Sequence, residues 1–129
     1  MKALLHCVLF AFLVSSPVYA QDTVSLTGTW VGQRDRIAKV EGRRGGLATL
    51  VITEQQGNTF SARLKRSNAT GDEDEALWGA FTPGARLMIG SDEEGTYIFT
   101  LIDPNTLDYC YSETGPSPRS VCARLIRQR

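Results

Sequence analysis

Two runs of carboxylates, Asp72-Glu73-Asp74-Glu75 and Asp92-Glu93-Glu94, are the side chains most able to do chemistry in this chain. Paired carboxylates supply general acids and bases, or oxygen ligands for calcium. Neither run alternates oxygen donors around a central glycine as a calcium loop does. Both fall on polar connections, where they are expected to be solvated. The single histidine is His6, within an apolar leader, so triads that work through imidazole are excluded from the rest of the chain. A serine–lysine pair would need Lys39 or Lys65. Lys65 alternates onto the wet face of its segment, and Lys39 sits among other charges. Glu41 to Gly46, "EGRRGG", has glycines and arginines suited to an anion, but it does not lead from a strand into a helix as a phosphate loop must. It is expected to be a charged loop. No catalytic residue, metal ligand or cofactor is expected.

The leader itself has Lys2, the apolar run Ala3 to Val14, and small residues at Val18 and Ala20 before a cut. Residues 1–20 therefore read as a signal peptide, with an uncleaved signal-anchor as the alternative. The apolar run is too short to span a bilayer core, which needs about twenty residues. Residues 21–129 read as one exported domain, periplasmic or secreted, with no membrane span. The 14 basic residues match the 14 acidic ones, and losing Lys2 tips the balance slightly negative. Nucleic acid needs a basic excess and is not an expected partner. Asn68-Ala69-Thr70 matches a glycosylation acceptor.

Cys7 leaves with the leader, so Cys110 and Cys122 remain, and in an exported domain they are expected to form a disulfide. Zinc is the competitor, but without histidine it would need carboxylates beside the two thiolates.

The elements that must position these residues are strands. Apolar and polar residues alternate, broken by turn residues, with hardly any helical periodicity. Segments 24–33, 47–55, 59–66, 76–82, 85–90, 95–102, 106–113 and 119–127 read as eight strands, with turns at Gly57-Asn58, Pro83-Gly84 and Asp103-Pro104-Asn105. In the third, Phe60, Ala62 and Leu64 share one face, and Ser61, Arg63 and Lys65 the other. Arg34 to Gly46 reads as a long connection with room for a short helix, and Ser67 to Glu75 as a polar loop. Antiparallel strands in sequence order leave open edges unless the sheet closes, so the expectation is all-β, a small up-and-down barrel. A two-sheet sandwich is the alternative.

A disulfide between the last two strands sets their register. It places Tyr109 opposite Ala123, Tyr111 opposite Val121 and Leu107 opposite Leu125, an apolar inner face. Asp108 then meets Arg124 outside as an ion pair.

A barrel of eight strands has an interior that side chains fill or one small ligand occupies. Trp30, Phe60, Trp78, Phe81, Tyr97, Phe99, Tyr109 and Tyr111 supply the large side chains. Two functions follow. One is an apolar or aromatic small ligand held inside, against Trp30, Phe60, Trp78, Tyr97, Phe99, Tyr109 and Tyr111. The other is capture of an exported protein, such as a hydrolase to be inhibited, through a loop carrying Arg34, Arg36, Arg43 and Arg44. A cavity of about 300 Å³ or more favours the first, and a filled interior the second.

The stretch Ser25 to Gln33, "SLTGTWVGQ", with Trp30 between Gly28 and Gly32, resembles the first strand of lipocalin and avidin-like calycin barrels. The resemblance implies a barrel in which Trp30 closes one end against an arginine from the last strand, Arg124 or Arg127. It bears on architecture rather than on ligand.

Overall fold

In a computed structural model, the structure describes residues 24–68, 71–84 and 86–129. The expected leader lies outside them, as do Ala69 and Thr70 of the acceptor triplet and Ala85. Eight strands form: β1 (Gly28–Ala38), β2 (Gly42–Gln56), β3 (Thr59–Asn68), β4 (Gly71–Phe81), β5 (Leu87–Ser91), β6 (Gly95–Asp103), β7 (Thr106–Glu113) and β8 (Arg119–Arg127). Each pairs antiparallel with its predecessor, and β8 returns to β1, closing the barrel. Closure gives every strand a neighbour on each side, although β4 meets β5 only over Trp78–Phe81. The sandwich is thereby excluded. No helix among the described residues is long and apolar enough to cross a membrane.

Two of the connections expected from the sequence are strand instead. Arg34 to Gly46 holds no helix: β1 runs on to Ala38, a tight turn follows, and β2 starts at Gly42. The alternation continues through this region, with Arg34, Arg36 and Ala38 buried and Asp35 and Ile37 exposed. Charge at the inward positions masks the pattern, because arginine is ordinarily counted as an outside residue. Ser67 to Glu75 is likewise mostly strand, with β3 reaching Asn68 and the acidic run Asp72–Glu75 lying within β4. Gly32 sits where β1 approaches β8, and a Cβ there would collide with the backbone carbonyl of Arg124. A glycine beside Trp30 lets the seam close.

The register of β7 and β8 is the one the disulfide implies. Cys110 faces Cys122, Tyr109 faces Ala123, Tyr111 faces Val121 and Leu107 faces Leu125. These apolar residues are all buried. Outside, Arg124 donates to Asp108 through Nε at 2.7 Å and Nη2 at 2.8 Å. The bridge Cys110–Cys122 spans 12 residues of sequence, and a loop of that size stabilises by about 3 kcal/mol. Cys110→Ser should therefore lower the unfolding free energy by about 3 kcal/mol in urea, and reductant should do the same to the unaltered protein. An unmoved midpoint under reductant would mean that the bridge contributes no stability.

The core is a single cluster inside the barrel, and its two ends differ. At one end Trp30 is fully buried, and its Nε1 donates to the Leu26 carbonyl at 3.0 Å. The Arg127 guanidinium lies 4.2 Å over the indole ring. It donates to the carbonyls of Ser25 and Thr27, at 2.6 and 2.7 Å. Gln55 holds the same segment, accepting from Leu26 N and donating to Val24 O, both at 2.8 Å. Residues 24–27 thus form a tied plug, with Leu26 only 1% exposed. Arg127 is the arginine that packs on Trp30. Arg124 points outward to Asp108.

Candidate functional site

The far end of the barrel is polar. Arg34 and Arg36 enter it from β1, Arg66 from β3 and Arg119 from β8. The first three are at least nine-tenths buried. Arg66 continues the inward series Phe60, Ala62, Leu64, and Glu73 and Glu75 precede Leu77 at the same two-residue spacing. β3–β4 register places Glu73 beside Arg66 and Glu75 beside Leu64.

The charges are largely paired. Arg66 Nη2 contacts Glu75 Oε1 and, at 3.0 Å, Glu73 Oε2. Arg119 Nε meets Glu113 Oε1 at 2.8 Å, and its Nη2 lies 3.5 Å from Glu41 Oε1. Ser117 Oγ donates to the other Glu41 oxygen at 2.7 Å. Burial works against the charge on Arg66, but Glu75 and Glu73 more than offset it, and its pKa stands above the ordinary arginine value. Burial raises the Glu75 carboxyl, with Arg66 opposing. Arg34 is lowered by burial, with Tyr109 opposing and the Arg66 and Arg36 cations adding to the effect.

Below this layer lie the tyrosines. Tyr97 OH donates to Asp92 Oδ2 at 3.1 Å, and Tyr111 OH donates to Glu113 Oε2 at 2.7 Å. Asp92 is fixed by accepting from the backbone N–H groups of Glu94 and Gly95, at 2.8 and 2.7 Å. Burial, then Asp92, push Tyr97 well above the usual phenol range. Burial likewise raises Tyr111, aided by its hydrogen bond to Glu113. Tyr109 is pushed up to about 12 by burial, with the Arg34 and Arg66 cations pulling the other way. All three phenols stay protonated donors at neutral pH. The Tyr109 hydroxyl is buried with no hydrogen-bond partner among the described residues.

Phe60, Tyr97, Phe99, Tyr109 and Tyr111, five of the aromatic residues expected inside, form one packed cluster. Tyr97 stacks on Phe99 with centroids 5.6 Å apart and tilts against Tyr111 at 4.4 Å. Phe60 meets Phe99 edge-on at 5.8 Å. These rings fill the middle of the barrel. Trp30 is inside but belongs to the opposite, plugged end. Phe81 is partly buried against the core.

Trp78 is a correction: it faces outward and is 56% exposed. Leu77 takes the inward position, and the Phe60 ring lies across Gly79, so the phase of β4 turns Trp78 to solvent. Arg34 and Arg36 are also corrected, from an exposed loop to buried strand positions. Arg43 and Arg44 remain exposed at the start of β2. Sequence reasoning missed Arg66, Glu113 and Arg119, and it singled out Glu75 and Asp92 but read them as solvated residues of polar connections. The two-residue series through Leu64 and Leu77 pointed to Arg66 and Glu75.

This arrangement offers hydrogen-bond donors, charge and aromatic surface. Among the described residues no group of three His, Cys, Asp or Glu side chains is placed to hold a metal ion.

No family model matches the chain, and no curated protein matches it. Solved structures do. A redesigned beta barrel, b11L5F_LGL, superposes with a TM-score of 0.55 at 16% identity, over 81% of this chain and 92% of that one. The barrel EF1p2_mFAP2b, solved bound to DFHBI, superposes with a TM-score of 0.56 at 14% identity, over 80% of this chain and 94% of that one. At such identities the likeness is one of fold. The chain is an eight-stranded antiparallel β-barrel similar in fold to these two structures.

Proposed function

We propose that the chain is a small exported binding barrel that takes an aromatic or apolar small molecule at its polar end, over Tyr97, Tyr109 and Tyr111. The observation that carries this reading is the Tyr109 hydroxyl, buried near Arg34 and Arg66 without a hydrogen-bond partner among the described residues. Buried polar groups are nearly always satisfied, and a ligand atom is one way to satisfy this one. The asymmetry of the ends supports it too. Backbone residues 24–27 seal the Trp30 end, whereas side chains cover the other and can move on the fast timescale of rotamer exchange. One barrel of similar fold is bound to the small molecule DFHBI. The rings already fill the middle, which by the cavity criterion favours partner capture, so on the ligand-binding reading the ligand enters by displacing polar side chains at the mouth rather than by filling a preformed void.

Titration with the neutral probe N-phenylnaphthylamine should give saturable binding of one probe per chain, with enhanced probe emission. Linear, non-saturating uptake would overturn the reading. It would favour the second function, capture of an exported protein partner. That reading draws on the outer face, where Trp78, Leu87, Ile89 and Ile98 are each at least half exposed on β4, β5 and β6. Ile89 pairs with Ala80 on one side and Ile98 on the other, so the apolar surface is contiguous. Clustered apolar exposure of this kind marks interaction surfaces.

A further inference from the structure

Strand β4 outruns one of its neighbours. It pairs with β3 from Gly71 to Ala80, but on the other side it meets β5 only over Trp78–Phe81. Beyond Ser91 the chain turns back into β6, with Asp92 N donating to Gly95 O at 3.3 Å. Gly71 to Leu77, about 23 Å of strand, therefore has an open edge. Peptide groups of an antiparallel strand alternate between its two sides. Among the described residues, no backbone hydrogen bond reaches this stretch from the β5 side. Such an edge is a template for another strand.

The side chains around the edge select which strand. Asp72, Asp74, Ala76 and Trp78 alternate onto the outer face, opposite in phase to the buried Leu77. A notch of about 250 Å³ separates the edge from the β5–β6 turn. Asp74, Glu75, Asp92, Glu93 and Glu94 line it beside Trp78, and no basic residue does. Arg63 pairs with Asp74, and Arg66 with Glu73 and Glu75. Asp72, Glu93 and Glu94 form no ion pair among the described residues. A second copy of this edge would set carboxylate against carboxylate, which like charge opposes. A basic strand meets opposite charge instead, and the exposed indole of Trp78 offers a face to a cation.

We infer that the β4 edge from Gly71 to Leu77 takes up an extended, arginine- or lysine-rich segment of a partner protein as an added strand, with a basic side chain in the notch against Trp78. Main-chain hydrogen bonds hold the segment, and the carboxylates choose its charge. The surface lies on the barrel wall, so the inference does not rest on ligand binding inside the mouth. It gives partner capture a site and a partner chemistry.

Calorimetric titration of the full chain with a hexapeptide of alternating arginine and valine tests the inference, with its glutamate–valine counterpart and spermine as controls. The basic peptide should bind saturably, one per chain, and change Trp78 emission. The acidic peptide should not bind. Spermine, which has charge but no peptide groups, should bind about tenfold more weakly or worse. Methylating alternate peptide nitrogens gives two further probes, because one set of N–H groups faces β4 and the other faces away. One methylated peptide should lose binding and the other keep it. Asp72→Asn, Glu93→Gln and Glu94→Gln together should weaken the basic peptide about tenfold, with N-phenylnaphthylamine titration unchanged. Spermine matching the peptide, or equal effects of the two methylation patterns, would overturn strand addition. Binding of the acidic peptide as tight as that of the basic one would overturn the choice of partner. Self-association through this edge, seen in sedimentation and undisturbed by the basic peptide, would assign the edge to a second copy instead. No binding of the basic peptide would overturn the inference and leave the small-molecule reading to its own titration.

Discussion

Trp30→Ala should cost the barrel about 3–5 kcal/mol of stability, the range for truncating a fully buried large aromatic side chain. The indole is completely shielded, its Nε1–H is satisfied by Leu26, and Arg127 stacks over its face. Truncation leaves a hole that the surrounding strands cannot collapse into, because ladder hydrogen bonds on both sides fix β1. It also removes the partner that orders residues 24–27. Urea denaturation followed by far-ultraviolet circular dichroism should show a lower midpoint with an unchanged slope. Trp30→Phe should recover much of the loss, since it restores volume without the N–H. A Trp30→Ala loss below about 1 kcal/mol would place the residue outside the core.

Arg66→Met should cost about 1–3 kcal/mol at neutral pH, because it takes the buried guanidinium away from two partly exposed carboxylates and leaves Glu75 without the cation that opposes its desolvation. Arg66 is 5% exposed and holds both Glu73 and Glu75. In the variant Glu75 keeps its burial and loses the cation that opposes it, so its carboxyl rises further above 4.5. An acid whose folded pKa exceeds its unfolded one destabilises the fold while ionised. Protonation relieves the penalty as pH falls through the folded value, and the gain is complete below the unfolded value. The deficit of Arg66→Met should therefore shrink from neutral pH towards the ordinary carboxyl range. The double variant Arg66→Met, Glu75→Leu should recover most of the loss at neutral pH, since an apolar replacement of the whole pair removes both charges. A deficit that stays constant with pH would mean that Glu75 is solvated rather than stranded.

Where the two faces of a strand differ chemically, its place in the barrel is legible from residues alone. In β7 and β8 the inward set is Leu, Tyr, Ala and Val, and the outward set carries Asp108, Arg124 and the cysteines, so the spacing of Cys110 and Cys122 fixes the register. In β3 the alternation of Phe60, Ala62 and Leu64 with Ser61, Arg63 and Lys65 is equally plain. β1 beyond Gln33 and β4 before Ala76 are different. Charged residues occupy both faces there, so hydropathy carries a period without saying which phase points inward, and the segments read as loops.

The sequence by itself determined the strand count, the order, the paired cysteines and the aromatic composition of the core, because turn residues and two-residue alternation are local properties. Only the closed barrel decided that Arg34, Arg36 and Arg66 turn inward and Trp78 outward. Closure gives every strand two neighbours, and their combined register fixes the phase that a single strand leaves open. It also brings together partners distant in sequence, Arg66 with Glu75 across a hairpin and Arg119 with Glu41 across the β1–β8 seam, so that charge can be buried where isolated residues would have to face water.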